Sequence, residues 1–172
     1  FNTSSSADCL IDINIDVRGI SIQTGYTGTV TQGNGNTITI RNQDIFMAEG
    51  NFQGGDSGID MIDGNFTIRG GSFTSTSDTL FLDVNFVVSD SGAFHHNNGT
   101  VVFNDGGNRG INVINKDTLF NMVVEPTANN LRLDLNGADT LVIINKLELN
   151  EGRLNGGPIE VLDSLILNNG YD

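Results

Sequence analysis

The sequence predicts an all-β fold, a single-stranded parallel β-helix (β-solenoid) with about 18–22 residues per coil. Three observations carry that expectation. Short runs alternate apolar and polar residues, pairs rich in Asn, Asp and Gly separate the runs, and the same residue types return at a fixed interval along the chain.

The alternation comes first. "LIDINIDV", "NTITI", "NFTI", "TLFLDVNFVV", "GTVVFN", "LRLDL", "KLELN" and "SLILN" each have the period of two that buries one face of a strand. Helix is disfavoured throughout, because the chain holds 22 Gly and only five Ala. Between the runs lie Asn34-Gly35, Asn98-Gly99 and Asn155-Gly156, residue types that accept the left-handed backbone of tight turns.

The interval decides how the strands are arranged. Phe52, Phe73 and Phe94 are each 21 residues apart, as are Gly50, Gly71 and Gly92, and Phe66 precedes Phe86 by 20. Downstream, "TLVIINKLELNEG" overlays "PIEVLDSLILNNG" at 18, which sets Leu147 on Leu165, Leu149 on Leu167 and Gly152 on Gly170. If each coil forms one layer at the usual inter-strand spacing of about 4.8 Å, residues one coil apart stack inside the tube. The Phe and Leu pairs are then core rungs, and the glycines repeat where every coil turns the same corner. An antiparallel sandwich also has short strands, but nothing in it requires residue identity to recur every second or third strand.

Residues 1–172 are expected to form one continuous solenoid, with a change of coil composition near 120–130. All ten Phe lie at or before Phe120, and Leu, Ile and Val fill the tail. "VEPTANN", residues 124–130, is the expected loop or kink, and "NQDIFMAEG" and "DGGNRGINVINKD" depart from the smoother repeat. The opening "FNTSSSADCL" has the look of a mature piece or a segment of a longer chain.

Eight Lys plus Arg against 21 Asp plus Glu give a net charge of −13, which repels phosphate backbones and anionic lipid, so no nucleic-acid partner is expected. No run approaches the length of a membrane span, so no membrane insertion is expected either. Cys9 is alone, which rules out an internal disulfide and a cysteine metal site; it is expected as a buried, inert thiol.

The strings "DCLIDINIDVRGISIQTGYTGTVTQGNGNTITI", "GGSFTSTSDTLFL", "GAFHHNNGTVVFN", "TLFNMVV" and "KLELNEGRLNGGPIEVLDSLIL" together resemble the repetitive β-solenoid regions of large adhesin-like secreted or cell-surface proteins of bacteria. The resemblance implies an extracellular, non-catalytic stalk, fibre or display surface. The implied partners are other domains of the same long chain or neighbouring copies end to end, with surface glycans or proteins as further partners. It is specific for architecture and weak for role, because solenoids host many activities.

Candidate sites are few. "GGDSGID", residues 54–60, is similar to a calcium-binding nonapeptide but is out by one residue and has no second copy nine residues on. Asp56, Asp60 and Asp63 are the weak calcium candidates, with Asp83, Asp90 and Asp105 as further carboxylates that stacked turns could gather round a hard cation. No metal or other cofactor is required. His95-His96 would point to opposite faces of a strand, which fits a solvated strand end better than a metal site. A polysaccharide-active β-helix lyase or hydrolase is the alternative function. It needs clustered acids and cations, and Arg18, Arg41, Arg69, Arg109, Lys116, Arg132, Lys146 and Arg153 are scattered. A minor alternative, an ice-binding face, needs Thr-x-Thr ladders, and the pairs at Thr29/Thr31, Thr37/Thr39 and Thr74/Thr76 do not recur at coil spacing.

Overall fold

In a computed structural model the chain is all-β, with parallel strands stacked into a β-solenoid of about seven turns. The structure describes residues 1–2, 5–83, 85–89, 91–104, 108–125, 130–133, 139–150 and 154–168. The first coil contributes β1 (Cys9–Ile11), β2 (Ile15–Val17) and β3 (Ile20–Ile22), and the second β4 (Thr29–Gln32), β5 (Ile38–Arg41) and β6 (Ile45–Met47). The third holds β7 (Asn51–Gln53), β8 (Ile59–Ile62) and β9 (Asn65–Ile68), and the fourth β10 (Ser72–Thr74), β11 (Thr79–Leu82) and β12 (Asn85–Val88). After β13 (Ala93–His95), β14 (Thr100–Phe103) and β15 (Asn108–Asn112) come β16 (Lys116–Val124), β17 (Asn130–Leu133), β18 (Thr140–Leu149), β19 (Leu154–Gly156), β20 (Ile159–Val161) and β21 (Ser164–Leu167).

Three parallel sheets wall the tube. The first runs β1-β4-β7-β10-β13, the second β2-β5-β8-β11-β14-β16-β18-β20 with β21 also on β18, and the third β3-β6-β9-β12-β15-β17-β19. Each strand is only three to five residues long until β16, because a coil must turn three corners and corners take Gly, Asn and Asp.

In register, Phe52, Phe73 and Phe94 fall on one column and Phe66 and Phe86 on another. Phe52 and Phe73 stack with centroids 4.5 Å apart and planes 3° apart, and Phe73 and Phe94 at 6.0 Å and 8°. Phe66 and Phe86 stack at 5.2 Å and 5°. The two columns meet edge to face, at 4.8 Å and 85° between Phe66 and Phe73 and at 5.1 Å and 83° between Phe86 and Phe94. The coil repeat thus imposes stacking along the axis, while across the tube the rings take the T-shaped geometry that their quadrupoles favour.

The corner between the first and second sheets has a polar interior. Buried Gln32 donates from Nε2 to the carbonyls of Asn36 (2.7 Å) and Ser57 (2.9 Å), and its Oε1 accepts the Gly55 N–H at 3.0 Å. Two coils on, buried Thr76 donates to the Ser57 carbonyl at 2.7 Å and accepts the Asp78 N–H at 3.0 Å. These bonds satisfy the polar atoms that burial would otherwise penalise.

Several expectations need correction. The register offset runs from 18, Leu141 over Ile159, to 25, Ile20 over Ile45, a wider range than 18–22, because corners lengthen without disturbing the rungs. Gly50 and Gly71 do sit at positive φ, 71° and 74°, but Gly92 does not; a Cβ there would lie 2.6 Å from the Ile68 carbonyl oxygen, so close packing is what demands glycine. Gly152 and Gly170 lie outside the described residues, as do Asp90, Asp105 and Pro126 with the centre of the 124–130 segment.

Leu165 and Leu167 pair in register with Leu147 and Leu149, yet they are 55% and 54% exposed, because no later strand among the described residues stacks on β21. Cys9 is half-buried at the opposite end, in register with Val30.

The coil changes section at β16. In the fifth coil His96–Gly99 separate β13 from β14, whereas β16 runs nine residues without such a turn, and only a register shift between Leu119 and Asn121 marks the corner. β18 copies this over ten residues, carrying β20 on its first half and β21 on its second.

Truncating a ring in the middle of the ladder leaves a cavity. Phe73→Ala should cost about 3–5 kcal/mol in urea denaturation, whereas Leu165→Ala, at an open end, should cost less than about 1 kcal/mol. Equal losses at the two positions would mean that the ladder is not the core.

Candidate functional site

The outside of the tube near its first coils carries a groove of about 430 Å³, lined by Gly19, Ile20, Ser21, Gln23, Asn42, Gln43, Asp44 and Phe46. It arises from a step between coils. Two residues, Arg18 and Gly19, join β2 to β3, and Asn42, Gln43 and Asp44 join β5 to β6. With Arg41, the last residue of β5, which has no register partner on β2, four residues of the second coil face two of the first, and the offset grows from 23 at Val17 and Ile40 to 25 at Ile20 and Ile45. The longer corner projects over the shorter one as a ledge.

The ledge is held from both sides. The Ile20 N–H donates to the Asp44 carbonyl at 3.0 Å from the coil below, and the Asn42 N–H donates to the Ile62 carbonyl at 3.0 Å in the coil above. Asn42 takes φ 68°, a conformation that Asn tolerates better than most residues. Gly64, at φ 97°, lets the Gln43 carbonyl lie where a Cβ would otherwise be. The Asp44 Oδ1 accepts the Asn65 N–H at 2.8 Å and the Asn65 Nδ2 at 3.3 Å.

On the sheet side of the groove, Ser21 and Phe46 are register neighbours, and the exposed Gln23 donates from Nε2 to the Ser21 hydroxyl. Phe46 is half-buried, with the Arg69 guanidinium 5.9 Å from its ring centre, a cation–π contact that braces the ring. The groove therefore combines one aromatic surface, three side-chain amides, a hydroxyl and one carboxylate. It holds no nucleophile paired with a base. Sequence reasoning did not single these residues out, although "NQDIFMAEG" already stood apart from the repeat.

The predicted metal candidates do not converge. Asp56 sits at a turn and accepts the Gly35 N–H at 2.7 Å; Asp60 lies mid-strand on β8; Asp63 occupies an exposed turn at φ 64°. Asp83 follows β11. No group of three or more His, Cys, Asp or Glu side chains suited to a metal forms among the described residues. Burial raises the Asp60 carboxyl above its ordinary range, partly opposed by Arg41.

His95 is exposed on β13. His96, just past the strand, accepts the Asn98 N–H on Nδ1 at 2.9 Å and stacks on Phe120 at 5.6 Å. Burial, then the charge of His95, lowers its pKa. The Thr pairs form no continuous rungs, since Thr29 and Thr31 pair with Asn51 and Gln53, Thr39 pairs with Asp60, and Thr76 is fully buried. Among the described residues Arg41 pairs with Asp16 at 3.0 Å, Lys116 with Glu160 at 2.8 Å and Lys146 with Glu148 at 2.7 Å.

One titratable group stands out where the coil changes section. Asp117 is in register with the core residue Leu141. Burial pushes its pKa up to about 6; a hydrogen bond from the Ile114 backbone and the charge of His95 oppose the rise, and Asp139 adds to it. A raised carboxyl is what a general acid requires, but Asp139 is itself buried and accepts the Asn115 N–H at 2.5 Å, an arrangement that ties down the chain.

Comparisons with protein-family models, with curated proteins and with solved structures find no match to this chain.

Because the folded-state pKa of Asp117 lies above its unfolded value, the fold favours the neutral carboxyl. That stabilisation is fully present below about pH 3.8 and is lost as pH rises through about 6. Asp117→Asn should therefore raise the melting temperature at pH 7.5 and change it little at pH 4. A loss of stability at pH 7.5 would show that the ionised carboxylate is itself a structural partner.

Proposed function

We propose that this chain is a non-catalytic structural module of a secreted or cell-surface protein, a β-solenoid stalk that holds its outer faces out for display and joins further coils end to end. The observation that carries the reading is the exposure of apolar side chains along the outermost described strands of the second sheet and of its neighbour β1. At one end β21 leaves Leu165 and Leu167 half-exposed on in-register core columns, with Leu162 57% exposed beside them. At the other, Cys9, Ile11, Ile15 and Val17 are only partly buried on the same kind of column. Strand edges in this condition pair readily with another strand of the same register. A further coil or a neighbouring copy supplies apolar residues at the matching positions.

The likeness of the repeat strings to adhesin-like surface proteins supports placement outside the cell. The strongly acidic surface suits a display role by keeping lateral faces apart, which leaves the ends as the route to association.

Light scattering over a concentration series should show mass growing beyond the 18.4 kDa of one chain, and Leu165→Asp with Leu167→Asp should abolish the growth. A single-chain mass at every concentration would overturn end-to-end joining. Turnover of uronate or neutral polysaccharides, with or without Ca²⁺, would overturn the non-catalytic reading.

A further inference from the structure

We propose that the groove between the first and second coils binds a neutral saccharide, with Phe46 as the stacking platform and Gln23, Asn42 and Gln43 as hydroxyl partners. The chemistry of the lining selects this class. Its volume of about 430 Å³ falls within the range of small-ligand clefts. The lining is polar apart from Ile20 and Phe46, and Ile20 is buried, so a purely apolar ligand would leave amide groups without partners.

Side-chain amides offer both donors and acceptors, which is what a ring of hydroxyls needs, since each hydroxyl also does both. An aromatic face carries negative quadrupole density that attracts the polarised C–H face of a sugar ring. Phe46 is the one aromatic side chain that lines the groove, and the Arg69 contact braces it.

Other ligand classes fit worse. A phosphate or uronate would meet Asp44 in a chain of net charge −13, and the cations nearest the lining are already engaged, the Arg69 guanidinium with the Phe46 ring and the Phe1 ammonium with the Ser21 carbonyl at 3.0 Å. A metal ion would find one carboxylate, one of whose oxygens already accepts two hydrogen bonds from Asn65. A neutral polyhydroxyl ligand bears neither cost. The ledge architecture also suits a chain-like ligand, because the groove is a step on an open surface, where a saccharide can enter at one unit and continue along the tube.

The proposal is independent of end-to-end joining, and the two are tested separately. The ¹⁵N-labelled chain is titrated with hexamers of glucose (α- and β-linked), mannose and galactose, and with hexagalacturonate as the charged comparison. At least one neutral hexamer should shift the amides of Gly19–Gln23 and Asn42–Phe46 in a saturable way. Phe46→Ala should weaken that binding by at least about tenfold, and Gln43→Ala, on the exposed ledge, by about threefold with no change in melting temperature. The proposal is overturned if no neutral hexamer gives a saturable shift, if the shifts fall elsewhere, if Gln43→Ala binds as the parent does, or if hexagalacturonate binds more tightly than every neutral hexamer. Light scattering on the same samples keeps the readings apart. A mass that grows while the titration is silent removes the groove alone, and a single-chain mass with a saturable titration removes end-to-end joining alone.

Discussion

Parallel pairing of each coil on the next is the constraint from which the rest of this molecule follows. Backbone hydrogen bonds run along the tube axis and fix the spacing between coils at about 4.8 Å, within the range of about 4.5–7 Å at which the centroids of offset-stacked aromatic rings sit. Phe52 and Phe73, at 4.5 Å and 3°, have little freedom to do anything but stack. Phe66 turns edge-on to Phe73 because it enters from another wall. The same spacing reaches the surface. Asn85 donates from Nδ2 to Asn65 Oδ1 at 2.9 Å and accepts the Gly110 N–H at 2.8 Å, continuing the column that begins at Asp44. Asn145 reaches Asn121 at 2.7 Å, and Asn168 reaches Asn150 at 2.8 Å.

The acidic residues take part in this stacking as well as giving the surface its charge. Asp8 accepts the Thr29 N–H, Asp56 the Gly35 N–H, Asp44 the Asn65 N–H and Asp139 the Asn115 N–H. Each bond crosses from one coil to a neighbour at a corner, where the strand ladder is interrupted and main-chain donors need partners. A hydrogen bond to a charged acceptor contributes more than a neutral one, about 1.5–3 kcal/mol where it is sheltered from water. These four carboxylates thus serve to hold corners in register as well as to charge the surface.

The sequence showed the interior more clearly than the outside. The Phe ladder could be read from spacing because a rung must repeat its residue type at the coil interval. Leu165 and Leu167 obey the same spacing, yet their exposure depends on what lies above them, which pattern alone does not report. Gly92 shares an interval with Gly50 and Gly71 but owes its identity to the Ile68 carbonyl, a contact from a neighbouring coil. The stretch around Asn42–Phe46 stood out as irregular, but an irregular corner can project, fold flat or cover a face. Only the short Arg18–Gly19 corner beneath it makes a groove. Asp117 was hidden for a related reason, since its position opposite Leu141 depends on the loss of a turn within β16.

The axial direction of the hydrogen bonds also determines how the tube responds to load. Tension applied along the axis pulls coils apart bond by bond, much as a zipper opens, because the ladder lies parallel to the force. A coil that peels away gives up about 4.8 Å of tube length and releases about 70 Å of extended chain for its 21 or so residues. Each turn is thus a folded reserve of length roughly fifteen times its height. A molecule built this way can lengthen one coil at a time under strain, and an opened coil can rewind against the template left by its neighbour when the force is removed.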